Sequence, residues 1–239
     1  MLTTSGRFSS SGRKSARRIS RRRSLALVAG GLVAGAGAAV APRRSQAAPS
    51  SEIPPAVNYQ IFVDGDLSGS QHVDFVPRPQ GFTATSHMSI RVEVMFVTAF
   101  RFHQIGDSDW HDGNPVGFEY ITNNDGTPSS VLGKRDGDSW TITGPSGTQT
   151  GVGSASPPGF WNRDIVTATS VVDPEKGVVV PFSAVRLTET STSIAGQTVT
   201  GEGYAINSFV VGQLWFAPDK SLAALIFDQQ GHTVAVLKT

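Results

Sequence analysis

The chain has no cysteine among its 239 residues. That absence excludes disulfides, thiolate metal sites, iron–sulfur clusters, a cysteine nucleophile and a lipidated cysteine anchor, and no cofactor is expected. Acidic residues are missing before Glu52, whereas ten Lys and Arg lie between Arg7 and Arg44. Afterwards base is scarce: ten Lys and Arg stand against nineteen Asp and Glu, so the part after Ala47 has a net charge of −9. Such an acidic body argues against nucleic acid or an anionic membrane surface as partner, because phosphate binding needs clustered Lys and Arg. Long apolar runs are lacking too. The uncharged segment 25–41 has 17 residues with four glycines, short and weak for a stable membrane span.

What the N-terminus does contain is the three parts of an export signal: a basic region, an apolar region, and the small-residue segment Ser45-Gln46-Ala47-Ala48. Arg22-Arg23-Ser24-Leu25 resembles the twin-arginine signature, and the glycine-rich apolar core with Arg43-Arg44 behind it suits that pathway. A membrane anchor or an organelle transit peptide is the other reading of such a segment; the transit peptide would not need the apolar core or the cleavage-like tail. We expect a signal peptide over 1–47, a linker over 48–56 and a single domain over 57–239. The expected partners are then the twin-arginine export machinery and signal peptidase, the expected location is periplasmic or secreted, and no membrane span remains after cleavage.

Beyond the linker, short β-like runs alternate with turn dipeptides, the pattern of an antiparallel sheet. The stretch 88–103, MSIRVEVMFVTAFRFH, alternates apolar even positions with Arg91, Glu93, Arg101 and His103 at odd ones. Read as one strand it would span about 50 Å, so it would have to bend as part of a curved sheet. Asp64-Gly65, Asp112-Gly113, Asp125-Gly126 and Gln230-Gly231 read as turns, because glycine accepts positive φ. Residues 144–159 read as a Gly, Ser, Thr and Pro loop, and 161–170 as a short helical turn. The expected fold is all-β: an antiparallel, strongly curved sheet of about ten strands forming a half-closed or closed barrel.

Three segments carry a resemblance. They are Phe100-Arg101-Phe102 with Trp110-His111-Asp112-Gly113 and Thr122-Asn123-Asn124-Asp125-Gly126; Phe160-Trp161-Asn162 with Asp173 and Gly177; and Tyr204 with Gln213-Leu214-Trp215-Phe216. In order and spacing they resemble an uncharacterised family of exported proteobacterial proteins with a domain of unknown function. The chain departs from it at Gly106-Asp107-Ser108-Asp109, where a shorter acidic run would be expected. The resemblance implies an envelope location and a β-rich fold like the half-barrels of periplasmic lipoprotein and lipid carriers; no activity comes with it.

Chemistry-bearing residues concentrate in 103–112, where two imidazoles and three carboxylates lie within ten residues. His103, His111 and Asp109 are candidate metal ligands, since neutral imidazole and ionised carboxylate suit divalent ions. The spacing matches no established metal motif, and a charged hairpin tip accounts for the same residues. Gly151-Val152-Gly153-Ser154 only imitates a serine nucleophile turn, and Glu93 with Glu119 or Glu189 with Glu202 would need the sheet to pair them. No catalytic residue is assigned. The aromatic set offers more: Phe96, Phe100, Phe102, Trp110, Trp161 and Trp215 are candidates to line a cavity for an apolar or lipid-like ligand. A filled core would use the same residues. Three functions are therefore expected: an exported envelope protein that binds or carries an apolar ligand, an interaction protein with a solid core, or a metal-dependent enzyme using 103–112.

Overall fold

The computed structural model describes residues 53–94 and 97–239. The expected signal peptide, the start of the linker and Phe96 lie outside the described residues. Eight strands follow one another as hairpins: β1 Val57–Val63, β2 Asp66–Arg78, β3 Gly81–Val94, β4 Val97–His111, β5 Asn114–Asn124, β6 Thr127–Asp136, β7 Ser139–Gly144 and β8 Gly147–Val152. A crossing segment then holds a 3-10 helix, Arg163–Thr167, and two short paired strands, β9 Ser170–Val172 and β10 Val179–Pro181. The chain returns through β11 Ser183–Arg186, the separate hairpin β12 Ser191–Ile194 and β13 Gln197–Thr200, and the meander β14 Glu202–Asn207, β15 Val211–Phe216, β16 Leu222–Gln229 and β17 His232–Lys238.

Thirteen of these strands form one antiparallel sheet in the order β11-β14-β15-β16-β17-β1-β2-β3-β4-β5-β6-β7-β8. β17 pairs with β1, so the last strand joins the two halves. The all-β, antiparallel expectation holds, but the expected closure and the count of about ten strands do not. Among the described residues no sheet is closed or strongly curled. The outermost strands, β8 with six residues and β11 with four, are short edges that leave few ladder bonds with which to close.

The stretch 88–103 is not one long strand. Val94 lies opposite Val97 and Ile90 opposite Phe102, so the chain reverses inside it. A two-residue reversal alone would shift the alternation by one position. The register shift beside Val92 and Glu93 leaves Ala99 as an extra residue, which restores the phase and puts even positions of both arms on one face. The reversal is thereby hidden in the pattern. Within 144–159, β8 pairs with β7 where a loop was expected, while the expected helical turn over 161–170 is the 3-10 helix. The turn dipeptides behave as read: Asp64, Asp112, Asp125 and Gln230 have φ of 52°, 49°, 49° and 52°, each followed by a positive-φ glycine.

One sheet face carries Val73, Phe82, Phe118, Tyr120, Trp140 and Ile142, and the crossing segment covers it with Ala155, Trp161, Ile165, Val171, Val172 and Phe182. Two of its aromatics lie over glycines of the next strand. An ideal Cβ on Gly106 would come 2.3 Å from the Tyr120 ring, and one on Gly133 2.1 Å from the Phe118 ring. Glycine is required there for the aromatic layer to lie down on the sheet. On the opposite face, β12 and β13 cover Trp215, Ala224, Ala235 and Leu237 with Ile194 and Val199.

Candidate functional site

Along β3 and β4 the covered face changes character in three steps. At one end Trp161 reaches down from the crossing segment onto Phe75, Trp110 and Phe82, with ring centroids 4.9, 5.3 and 6.1 Å away. Phe82 and Trp110 are stacked at 6.0 Å, and the Trp110 indole donates to Ser108 Oγ at 3.0 Å. The four rings fill the space between them, so Trp110 and Trp161 are brought together as packing. In the middle lies a polar belt. Gln71 donates to Ser86 at 2.8 Å and Gln104 donates to Thr122 at 2.9 Å, with Thr122 fully buried.

Beyond the belt comes an apolar end. Val92 stands opposite Phe100 and Ile90 opposite Phe102, with Met88 beside the belt. These side chains are all half-buried. Met88 and Ile90 pack against the main core, whereas Phe100 and Phe102 belong to none of the four buried clusters formed among the described residues. Trp215 is not part of this arrangement. It lies on the opposite face, 1% exposed, under β12 and β13, with its indole donating to Gln213 at 3.1 Å.

The candidate metal ligands are separated by the strand that carries them. His103 and His111 are both on β4, eight residues apart, which is roughly 26 Å of extended chain. Asp109 accepts from Thr83 at 2.7 Å and Asp107 from Thr85 at 2.7 Å. Among the described residues, no three side chains of His, Asp or Glu are already gathered to hold a metal ion. The carboxylate pairs considered above have other partners: Glu93 faces Arg91 at 2.6 Å, and Glu202 takes Arg163, Arg186 and Tyr204.

The Glu202 network anchors the crossing segment to the meander. Arg163, on the 3-10 helix, donates to Glu202 Oε2 through Nε at 3.1 Å and to the Tyr204 hydroxyl at 2.9 Å. The hydrogen bond from Arg163 holds the Glu202 carboxyl below the usual carboxylate range, with smaller help from Tyr204 and Arg186. Burial pushes the Tyr120 hydroxyl up, with Asp107 adding to the shift. The polar belt escaped sequence reasoning, because Gln and Ser at inward strand positions read as breaks in the alternation. Their common inward parity, with Thr122 opposite Gln104, was the available signal.

Residues 59–238 match the family model described as a domain of unknown function, DUF6134, and the chain belongs to that family. A crystal structure of a beta-barrel-like protein of domain of unknown function DUF1849 from Brucella abortus is similar to it, with a TM-score of 0.54 and 9% identity over 78% of this chain and 97% of that chain. At that identity the likeness is one of fold. No curated protein matches the chain.

Proposed function

We propose that this DUF6134 domain binds an amphiphile, a lipid-like molecule whose apolar chain lies along Phe100, Phe102, Val92, Ile90 and Met88. The observation that carries the reading is the half-exposed apolar end of the covered face, where Phe100 and Phe102 stay outside every buried cluster although they share a face with the core. Much of this face is covered by the crossing segment, and two adjoining phenylalanines left partly in water at its end form an apolar patch of the kind that binds a partner or ligand. The half-buried Gln71, Ser86 and Gln104 of the belt border the patch and supply amide and hydroxyl groups for a polar head, with Thr122 holding Gln104 from beneath. The aromatic group of Trp161 and Trp110 forms the packed floor beyond the belt rather than part of the binding surface. The N-terminal segment gives the setting: with an export signal over 1–47, the domain works as a soluble carrier in the periplasm or outside the cell, after passing the twin-arginine machinery and signal peptidase.

The test is native mass spectrometry of the exported protein against the same sample denatured. A non-covalent excess of a few hundred daltons or more supports the reading, and the denatured mass reports whether the cut follows Ala47. The variant Phe102→Glu places a charge in the apolar end without touching the packed floor. It is expected to lose the bound mass, and to lose binding of a fluorescent fatty acid, at an unchanged melting temperature. Equal native and denatured masses together with no fatty-acid binding by the parent protein would turn the reading toward an interaction protein with a filled core.

A further inference from the structure

The β3–β4 hairpin outruns its neighbours. β2 follows β3 only as far as Gly69 opposite Ile90, and β5 follows β4 only as far as Asn124 opposite Phe102. Beyond those pairs, residues 91–94 and 97–101 find ladder partners only in each other. Four residues of strand make an overhang of roughly 13 Å. One side of this ribbon is apolar: by register Val97 shares the face of Val92 and Phe100, and Val97 is 68% exposed. The other side carries Arg91 directly opposite Arg101, both exposed. We infer that the ribbon docks on the surface of a lipid bilayer rich in zwitterionic phospholipid, with Val97 among the upper acyl chains and the two guanidiniums at the phosphates.

Charge and depth both point to that partner. Like charges directly opposed on neighbouring strands destabilise a sheet, and a phosphate between two guanidiniums removes the conflict. Glu93 takes Arg91 at 2.6 Å, whereas Arg101 reaches the Thr98 hydroxyl at 3.4 Å. The part after Ala47, at a net charge of −9, would be repelled by an anionic surface. A zwitterionic one offers the phosphates without that opposing field. The outer edges of a two-stranded ribbon have unpaired N–H and C=O groups, so it stays in the headgroup and upper acyl region, about 5–10 Å deep, and does not cross. The overhang is long enough for that depth. Exposure alone does not make such a site: Val185 is 66% exposed, but β11 is paired along its length with β14. The inference rests on the amphiphile reading for its purpose. The apolar strip continues from Val97 through Phe100 and Val92 to Phe102 and Ile90, so a docked ribbon joins the bilayer to the proposed ligand surface.

The test is co-sedimentation of the exported protein with vesicles of phosphatidylethanolamine and phosphatidylcholine. The parent is expected to sediment with them. Val97→Asp should weaken binding at least about tenfold, because an inserted valine is exchanged for a charge. Arg101→Gln should weaken it about threefold or more. Both variants should bind the soluble fluorescent fatty acid as the parent does, and Val185→Asp should sediment as the parent does. Thermal melts of every variant check that the fold persists. Absence of vesicle binding by the parent would overturn the proposal, and so would equal binding by folded Val97→Asp or loss of binding in folded Val185→Asp; fatty-acid binding that persists in those cases leaves the amphiphile reading standing. Vesicle binding by a parent that takes no fatty acid would remove the amphiphile reading and support the ribbon as a membrane contact by itself.

Discussion

Replacing Gly133 with alanine should destabilise the domain, although it exchanges a poor strand former for a better one. The new Cβ would lie 2.1 Å from both Cε1 and Cζ of Phe118. Carbon atoms rest at about 3.5–4.0 Å, so the ring would have to retreat by roughly 1.5 Å. It has little room to do so. Phe118 is 3% exposed, and its ring is bounded by Trp140 at 5.3 Å and Tyr120 at 5.9 Å. Overpacking of this kind costs about 1–3 kcal/mol, from which the strand preference for alanine removes about 0.5–1 kcal/mol. The expected net loss is about 1–2 kcal/mol, a fall in melting temperature of about 2–8 °C for a domain of this size. Urea unfolding followed by tryptophan fluorescence measures it, with Trp140 reporting from the same cluster. In a Phe118→Leu background the smaller side chain makes room, so Gly133→Ala should cost about 1 kcal/mol less there than in the parent. A neutral or stabilising Gly133→Ala with an unchanged denaturant slope would refute the account of the aromatic layer.

Trp161→Ala should cost about 2–4 kcal/mol, below the range for a fully buried tryptophan because Trp161 is only half-buried. Thermal melting checks the loss, which would leave the Phe75, Phe82 and Trp110 rings exposed along one side. Glu202→Gln tests the anchor between the crossing segment and the meander as a function of pH. The folded carboxyl titrates below its unfolded value of about 4.3, so its contribution is present above that pH and disappears as pH falls through the lowered folded value. Melts of parent and variant should therefore differ at pH 6 and converge on the acid side. A gap that widens on acidification would contradict the assignment.

How much of this was legible depended on whether the information was local. Asp-Gly pairs announce their turns because the conformation they need is set within two residues, and Asp64-Gly65, Asp112-Gly113 and Asp125-Gly126 all turn where expected. The reversal between Val94 and Val97 was illegible for a specific reason: Ala99 restores the phase that a two-residue reversal breaks. Period-2 reasoning has no means to see two compensating shifts. β8 was hidden in Gly, Ser and Thr, since an edge strand can be recognised by its partner more readily than by its own composition. Sheet closure depends on whether the outermost strands can pair, a property of tertiary order rather than of any window of sequence. Trp215 shows the same limit at a single residue. Its strand was readable, but the hairpin of β12 and β13 that covers it on the opposite face was not.

The same geometry decides which polar residues can act together. Along one strand, residues on a common face recur every second position, about 6.6 Å apart, whereas directly opposed residues of neighbouring strands come within about 5 Å. A run such as 103–112, dense in His and Asp, is therefore stretched out by becoming a strand, and its side chains turn to their cross-strand partners. Asp107 finds Thr85 and Asp109 finds Thr83. Residues far apart in the chain are gathered instead: 15 positions separate His72 from His87, yet the register sets them opposite each other. The register of β3 with β4 places Phe102 opposite Ile90 on the other face. One hairpin, β3–β4, thus presents His87 and His103 on one side and the apolar end on the other. Because neighbouring positions of a strand face opposite ways, Phe102→Glu and His103→Ala should be separable although they adjoin in sequence: the first should remove fatty-acid binding and the second should spare it. Loss of fatty-acid binding in folded His103→Ala would mean that the two faces are not independent.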